Sequence, residues 1–436
     1  MAICKECNQE YHRWCKPCNS KHFQNDFNNW TSGNDKIDKI IQDAQLNANG
    51  NDELIEWIPY DRFEDVKQIG RGGFGTIHHA KWIDGRIEKW DIKNQQWKRQ
   101  RYWDGEVEEI EVALKKFDNF VNFNDVLNEM AIHLNTNGFG SIRFYGITLD
   151  PETHSYVMVL QHAADGNLRE YLKINFNNIN WEQKLDNLYH LSLKLKNIHK
   201  LDIVHQDFHP GNILSYDFKE SSFLSISDFG LSKLIGANLN NPEKKNIFGV
   251  LPYIAPEVLS GEEYTKAADV YSFGIIAYEM ITGFPPYPDI PHDKDLAMKI
   301  CNGLRPKIPF HTPKLITRMI MRCWDARVTN RSTLEELNDE LLKYWYDYNN
   351  YLEYGKNKDL EIVIQIKKAE EFSANQESTN TTTTATTTPL NYQTHSQAIY
   401  TSRLLNYSKL PKPKNEENFE EELEELTESM SLLIRI

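Results

Sequence analysis

His205-Gln-Asp207-Phe-His-Pro-Gly-Asn212 sets a carboxylate and an amide five residues apart, and Asp228-Phe-Gly230 follows sixteen residues later. A carboxylate suits the acceptance of a hydroxyl proton, while an amide oxygen and a second carboxylate suit a hard divalent cation beside phosphates. Upstream, Gly70-Arg-Gly72-Gly73-Phe-Gly75-Thr-Ile77 has the spacing G-x-G-x-x-G-x-Ile. Missing side chains there let backbone N–H groups close over phosphates. Strand-like residues, Thr76–Ala80, follow where a dinucleotide fingerprint needs a helix. Val112-Ala113-Leu-Lys115 ends a strand-like run with a cation, and Glu129 lies in the helical pattern Val126–Ile132, able to face it. An ion pair that holds a lysine against nucleotide phosphates is a mechanical need of phosphoryl transfer.

A second constellation is Cys4-x-x-Cys7, seven residues, then Cys15-x-x-Cys18, four of the six cysteines in the chain. Paired C-x-x-C hooks supply four thiolates from two tight turns and match the tetrahedral preference of a closed Zn2+ site. Cys301 and Cys323 read as buried residues.

The elements that must carry these residues change character along the chain. Residues 1–20 form the cysteine segment, and 21–58 read as an Asn-, Asp- and Gln-rich linker with one short helix at Ile37, Ile40 and Ile41. Alternating segments after Ile58 predict antiparallel strands; beyond Leu168 the pattern turns helical. The charged, Trp-bearing stretch between Trp82 and Glu111 reads as an insertion extending a hairpin. A helical extension is expected over 347–376, a disordered Thr-rich linker over 377–415, and an acidic, helical tail over 416–436. The formal charge of -14 argues against general nucleic-acid affinity, and no run is long and apolar enough to span a bilayer, so a cytoplasmic or nuclear protein is expected.

The ordered set over 59–346 resembles the eukaryotic protein kinase family. Ala255-Pro-Glu257 resembles the end of the family's activation segment, Arg331 the partner of Glu257, and Asp269 the helix aspartate supporting the catalytic loop. Asp269-Val-Tyr-Ser-Phe-Gly274 with Cys323-Trp324 is similar to the tyrosine-kinase and tyrosine-kinase-like groups, and Gly249–Glu257 is closer to the tyrosine-kinase-like pattern, whose members mostly modify Ser or Thr. The resemblance implies an α+β, bilobal fold with a small, mainly antiparallel-sheet N-lobe and a larger helical C-lobe. It implies ATP and Mg2+ as cofactors, with Asp207 as base, Asn212 and Asp228 as Mg2+ ligands and Lys115 with Glu129 on the phosphates. It places ATP at Gly70, Gly72, Gly73 and Gly75, adenine between Ile77, Ala113 and Leu214, and the hinge at Gln161, His162 and Ala163 behind Leu160. The partners implied are protein substrates; separately, a protein partner is expected at the cysteine segment or acidic tail. Three residues depart from the pattern: Gln206 stands for the usual arginine, His209 for a lysine and Val250 for a threonine. The alternative is a pseudokinase scaffold whose terminal segments are interaction modules.

Overall fold

Alternation in Ile110–Phe117 buries Val112 and Leu114 completely and makes this strand the centre of a sheet. Around it lie β1 (Glu56–Trp57), β2 (Phe63–Arg71), β3 (Gly75–Trp82), the hairpin β4 (Arg86–Asp91) and β5 (Gln96–Gln100), the central strand itself as β6, β7 (Phe144–Leu149) and β8 (Tyr156–Gln161). Six of these form one sheet in the order β1-β7-β8-β6-β3-β2, antiparallel except where β1 joins β7. The structure, a computed structural model, describes residues 2–72, 75–100, 110–118, 121–234, 247–379, 394–407 and 409–431. The chain divides into two units, 1–164 and 165–436.

In the first unit Ile58, Phe63, Ala80, Trp82, Val112, Leu114, Tyr145, Val157 and Val159 form one apolar cluster. Helix α1 is Lys16–Asp26, α2 is Asp35–Asn47 and α3 is Phe123–Thr136. Asn34 caps α2 by accepting from the N–H groups of Lys36 and Ile37, and Asn122 caps α3 through Asn124. The short helix expected at Ile37, Ile40 and Ile41 is α2, and the segment 21–58 around it is tied into the first unit. Ile37 and Ile41 are fully buried, Gln45 Nε2 donates to Ile55 O at 3.0 Å, and β1 extends the sheet. Its Asn and Asp residues look like linker composition, yet Asn34 serves as a cap, and an i, i+4 apolar pair suffices where a helix has a partner to cover it. The insertion is a separate two-stranded hairpin whose Trp97 stacks on Phe23 (4.2 Å) and Trp14 (6.0 Å) from the cysteine region.

The second unit contains α4 (Leu168–Asn175), α5 (Trp181–Lys200), α6 (Lys266–Thr282), α7 (Lys314–Cys323), α8 (Leu334–Tyr354), α9 (Glu361–Thr379) and α10 (Phe419–Ser431). Every residue of α6 from Ala268 to Thr282 is buried, as expected of a helix covered on all sides. Short pairings join β9 (Ile213–Leu214) to β10 (Ser225–Ile226), and β11 (Ile247–Gly249) to β12 (Arg403–Leu405). A capping box at Thr333 and Glu336 starts α8, which runs past 346 to stop at Gly355, φ 65°.

Residues 394–407 differ from the disordered linker read over 377–415, since they pack along this unit through backbone hydrogen bonds such as His395 N to Pro288 O (2.8 Å). The threonine tract 380–388 lies outside the described residues. Polar composition hides this docking because the bonds are mainly to backbone groups, which every residue type carries.

Candidate active site

The glycine-rich turn joins β2 to β3, with Gly72 N donating to Gly75 O at 2.9 Å; Gly73 lies outside the described residues. A Cβ on Gly75 would sit 2.0 Å from Lys116 O, so the close approach of β6 requires glycine there. In register, Ile77 faces Lys115, and Ala113 faces Leu160. Lys115 Nζ donates to Glu129 Oε1 of α3, and both groups are buried. Two opposite charges withdrawn from water in this way hold each other, and loss of one strands the other.

Following β8, Gln161 N donates to Arg143 O at 2.9 Å, and Gln161, His162 and Ala163 stay half-buried. His162 Nδ1 lies 3.2 Å from Glu111, whose other oxygen is 3.4 Å from His79. Burial, then the neighbouring His79, hold the His162 pKa below the ordinary imidazole value. This trio was missed in the sequence because its members are far apart and only strand register joins them.

In the second unit, Asp269 of α6 organises the turn that carries Asp207. Its carboxylate accepts from the N–H groups of His205 (2.8 Å) and Gln206 (3.1 Å) and lies 2.9 Å from His199 Nε2. Such backbone-to-carboxylate bonds, made away from water, fix the loop. His205 Nδ1 accepts from Asp207 N (3.3 Å), leaving Nε2 to donate to Ser227 O (3.0 Å). Burial pushes the pKa of this imidazole down and keeps it neutral.

Asn212 Nδ2 donates to Asp207 O (2.9 Å) and reaches Asp207 Oδ2 at 3.4 Å. Asp207 Oδ1 is buried and accepts no hydrogen bond among the described residues. The β9–β10 pairing carries Asn212 next to the Asp228 turn, since Ser227 N donates to Asn212 O at 2.9 Å. Gln206 (φ 69°) and Asp228 (φ 62°) both occupy the left-handed region that side chains rarely adopt. Such backbone positions persist where surrounding bonds over-determine them. An amide oxygen and a carboxylate so placed are hard oxygen donors and fit a magnesium ion. Leu214 is half-buried on β9.

His209 Nδ1 accepts from Gly211 N at 3.0 Å, which leaves the Nε2 of the neutral ring carrying its proton, 3.5 Å from Asp207 Oδ1. Arg331 grips Glu257 through two 2.7 Å bonds, the pairing implied by the sequence. Val250 is buried. Arg169 donates to Tyr253 Oη (2.9 Å), and Tyr253 Oη donates to Glu279. This buried network had no sequence signal, its residues lying on three separated segments.

The four thiols of Cys4, Cys7, Cys15 and Cys18 lie within 4.8 Å of one another. The pairs Cys4–Cys18 (3.7 Å) and Cys7–Cys15 (3.5 Å) approach the edge of about 3.8 Å that Zn–S bonds of about 2.3 Å give a tetrahedron. The donor set therefore fits zinc.

A family described as protein tyrosine and serine/threonine kinase matches residues 63–341. The chain is similar to the probable serine/threonine-protein kinase roco5 of Dictyostelium discoideum, 27% identical over 70% of this chain and 10% of that protein. It is similar to the tyrosine-protein kinase SPK-1 of Girardia tigrina, 26% identical over 68% of this chain and 56% of that protein. A third relative is the dual specificity protein kinase shkE of Dictyostelium discoideum, 38% identical over 27% of this chain and 17% of that protein. The chain thus spans from about a tenth to little more than half the length of these curated relatives.

Proposed function

Because the chain belongs to the protein tyrosine and serine/threonine kinase family, we propose that it transfers the γ-phosphoryl group of ATP to serine and threonine hydroxyls of protein substrates. Its fold is the bilobal kinase fold, with a sheet-based N-lobe and a helical C-lobe. In this reading Asp207 orients the acceptor hydroxyl and takes its proton, while the Asn212 amide holds that carboxylate in place. Asn212 and Asp228 hold magnesium, which neutralises phosphate charge when bound. Lys115, fixed by Glu129, steadies the phosphates, and the turn through Gly70, Gly72, Gly73 and Gly75 offers backbone N–H groups to them. By the family resemblance, Ile77, Ala113 and Leu214 are the apolar residues we assign to adenine. The backbone of Gln161, His162 and Ala163 offers it hydrogen bonds.

One observation carries the choice of acceptor. The hydroxyl of Ser402 donates to Asp207 Oδ2 at 2.5 Å from a backbone paired to β11. A tyrosine at the same backbone distance would project its hydroxyl well beyond that carboxylate, so the depth supports a short hydroxyl side chain. The relatives' names include serine/threonine, tyrosine and dual specificity kinases, and none of them decides the question for this chain. The pseudokinase alternative has no support in the family match or in these relatives.

The deciding test is an ATP assay on a mixed Ser, Thr and Tyr peptide library, with an Asp228→Asn chain as control. Transfer to Ser and Thr peptides, lost in the control, is expected. Transfer confined to Tyr peptides would overturn the acceptor assignment, and no transfer at all would overturn the activity. We further propose one zinc ion at Cys4, Cys7, Cys15 and Cys18. Among the described residues no helix is long and apolar enough to cross a membrane.

A further inference from the structure

The segment 394–407 follows a stretch whose composition resembles a linker, yet it is tied to the catalytic unit at successive points. His292 N donates to Gln397 O (2.9 Å), and His292 Nδ1 lies 3.0 Å from Ile399 O. Tyr400 Oη donates to Pro286 O (2.9 Å), and Arg169 donates to Tyr400 O (2.7 Å) with its guanidinium 5.0 Å from the tyrosine ring. Beyond them, β12 adds to β11 with Gly249 opposite Arg403, Phe248 opposite Leu404 and Ile247 opposite Leu405; Leu405 is buried. Adding a strand to the activation segment in this way supplies main-chain bonds that are indifferent to side chains, so position comes from the register and the anchoring side chains.

That register delivers Ser402 to the base. Its hydroxyl donates to Asp207 Oδ2 and lies 3.1 Å from His209 Nε2. Because His209 Nδ1 accepts from Gly211 N, the proton of the neutral ring is on Nε2 and is donated to Ser402 Oγ. A hydroxyl that gives its proton toward a carboxylate and keeps a lone pair free is poised as a nucleophile.

Resting on the kinase reading above, we propose that Ser402 is this chain's own phosphoacceptor, delivered in cis by strand pairing between Arg403–Leu405 and Ile247–Gly249. In the transfer, a bond forms between Ser402 Oγ and the γ-phosphorus of ATP while the bond from that phosphorus to the β,γ-bridging oxygen breaks. The electron pair leaves on ADP, and the hydroxyl proton passes to Asp207 and then to solvent. The product is phosphoserine beside the Asp207 carboxylate. A group of nearly two negative charges cannot rest against a second buried anion, so modification expels the segment and opens the acceptor site to other substrates.

The test uses the purified full-length chain, first dephosphorylated, then given magnesium and ATP. Phosphate on Ser402 is followed by mass spectrometry alongside transfer to an added Ser/Thr peptide. Ser402 should be modified with a first-order rate that does not change on dilution, and peptide transfer should accelerate after a lag of the same length. Ser402→Ala should lose that phosphate and stay in the slow phase. Leu405→Asp, which breaks the pairing, should modify Ser402 at least about tenfold more slowly, equivalent to about 1.4 kcal/mol of lost positioning, and should show no lag on the peptide. An Asp228→Asn chain should leave Ser402 unmodified. Peptide transfer without Ser402 phosphate would overturn the proposal and leave the kinase reading standing. A modification rate that rises with protein concentration would overturn delivery in cis. Absence of both reactions would overturn both.

Discussion

Lys115 and Glu129 show what individual side chains contribute, because in the proposed reading their buried pairing serves both chemistry and stability. Lys115→Met removes the charge we assign to the phosphates and takes from the buried Glu129 carboxylate its Lys115 partner. Activity should fall on the order of a hundred- to a thousand-fold, and stability by about 3–5 kcal/mol, read from peptide assays and denaturant titration respectively. His205 sets a pH dependence. Its pKa in the folded chain is depressed below 6.5 by burial, so the unfolded chain binds the extra proton first as pH falls. The stability associated with neutral His205 is complete above pH 6.5 and is lost as the pH drops through the folded pKa. A His205→Asn chain should show a shallower loss of denaturation midpoint between neutral and mildly acidic pH. An equally steep loss would assign the effect to other groups.

Among elements, the activation segment has two hydroxyl-bearing residues between Asp228 and Glu257, namely Ser232 and Tyr253. Ser232 is buried and donates to His205 O at 2.9 Å, while Tyr253 is buried between Arg169 and Glu279. Neither is placed for modification, and Gln206 offers no guanidinium to receive a phosphate. Transfer by the Ser402→Ala chain should therefore be insensitive to phosphatase treatment; a tenfold fall, with a phosphate mapped to this segment, would refute that. The centre of the segment, 235–246, lies outside the described residues, but it contains no hydroxyl. Order at its far end comes instead from strand addition by β12 and from burial of Ile247, Val250 and Leu251.

At the scale of the whole molecule, the cysteine segment is part of the first unit. Trp14, Phe23, Ala48, Leu54 and Ile87 form one cluster, with Trp97 of the hairpin packed against it. Zinc at the four thiols would brace the start of α1 and hence this cluster. A Cys4→Ser, Cys15→Ser chain should lose zinc by elemental analysis and show altered tryptophan emission as the Trp14–Trp97 stack loosens. Full zinc content in that variant would refute the site. The terminal segment 409–431 likewise belongs to the second unit: Asn415 Nδ2 donates to Asp325 (2.9 Å), and Arg327 pairs with Glu420 (3.0 Å).

Asp207, Asn212, Asp228, Lys115, Glu129 and the cysteine pairs could be singled out as candidates from the sequence because the proposed chemistry demands particular residue types at short, fixed spacings or in a fixed order. The same holds for the Asp269 and Arg331 supports, whose bonds lie where the resemblance implied. Tertiary structure decided what depends on distant partners. The helix at Ile37 and Ile41 was legible from their spacing, but that these side chains find a surface to cover was not. The trio His79, Glu111 and His162 exists because strand register brings it together, and the network of Arg169, Tyr253 and Glu279 because separate segments converge. Ser402 meets Asp207 across 195 positions of sequence through backbone pairing, and backbone groups carry no mark of their partner in the identity of the residue.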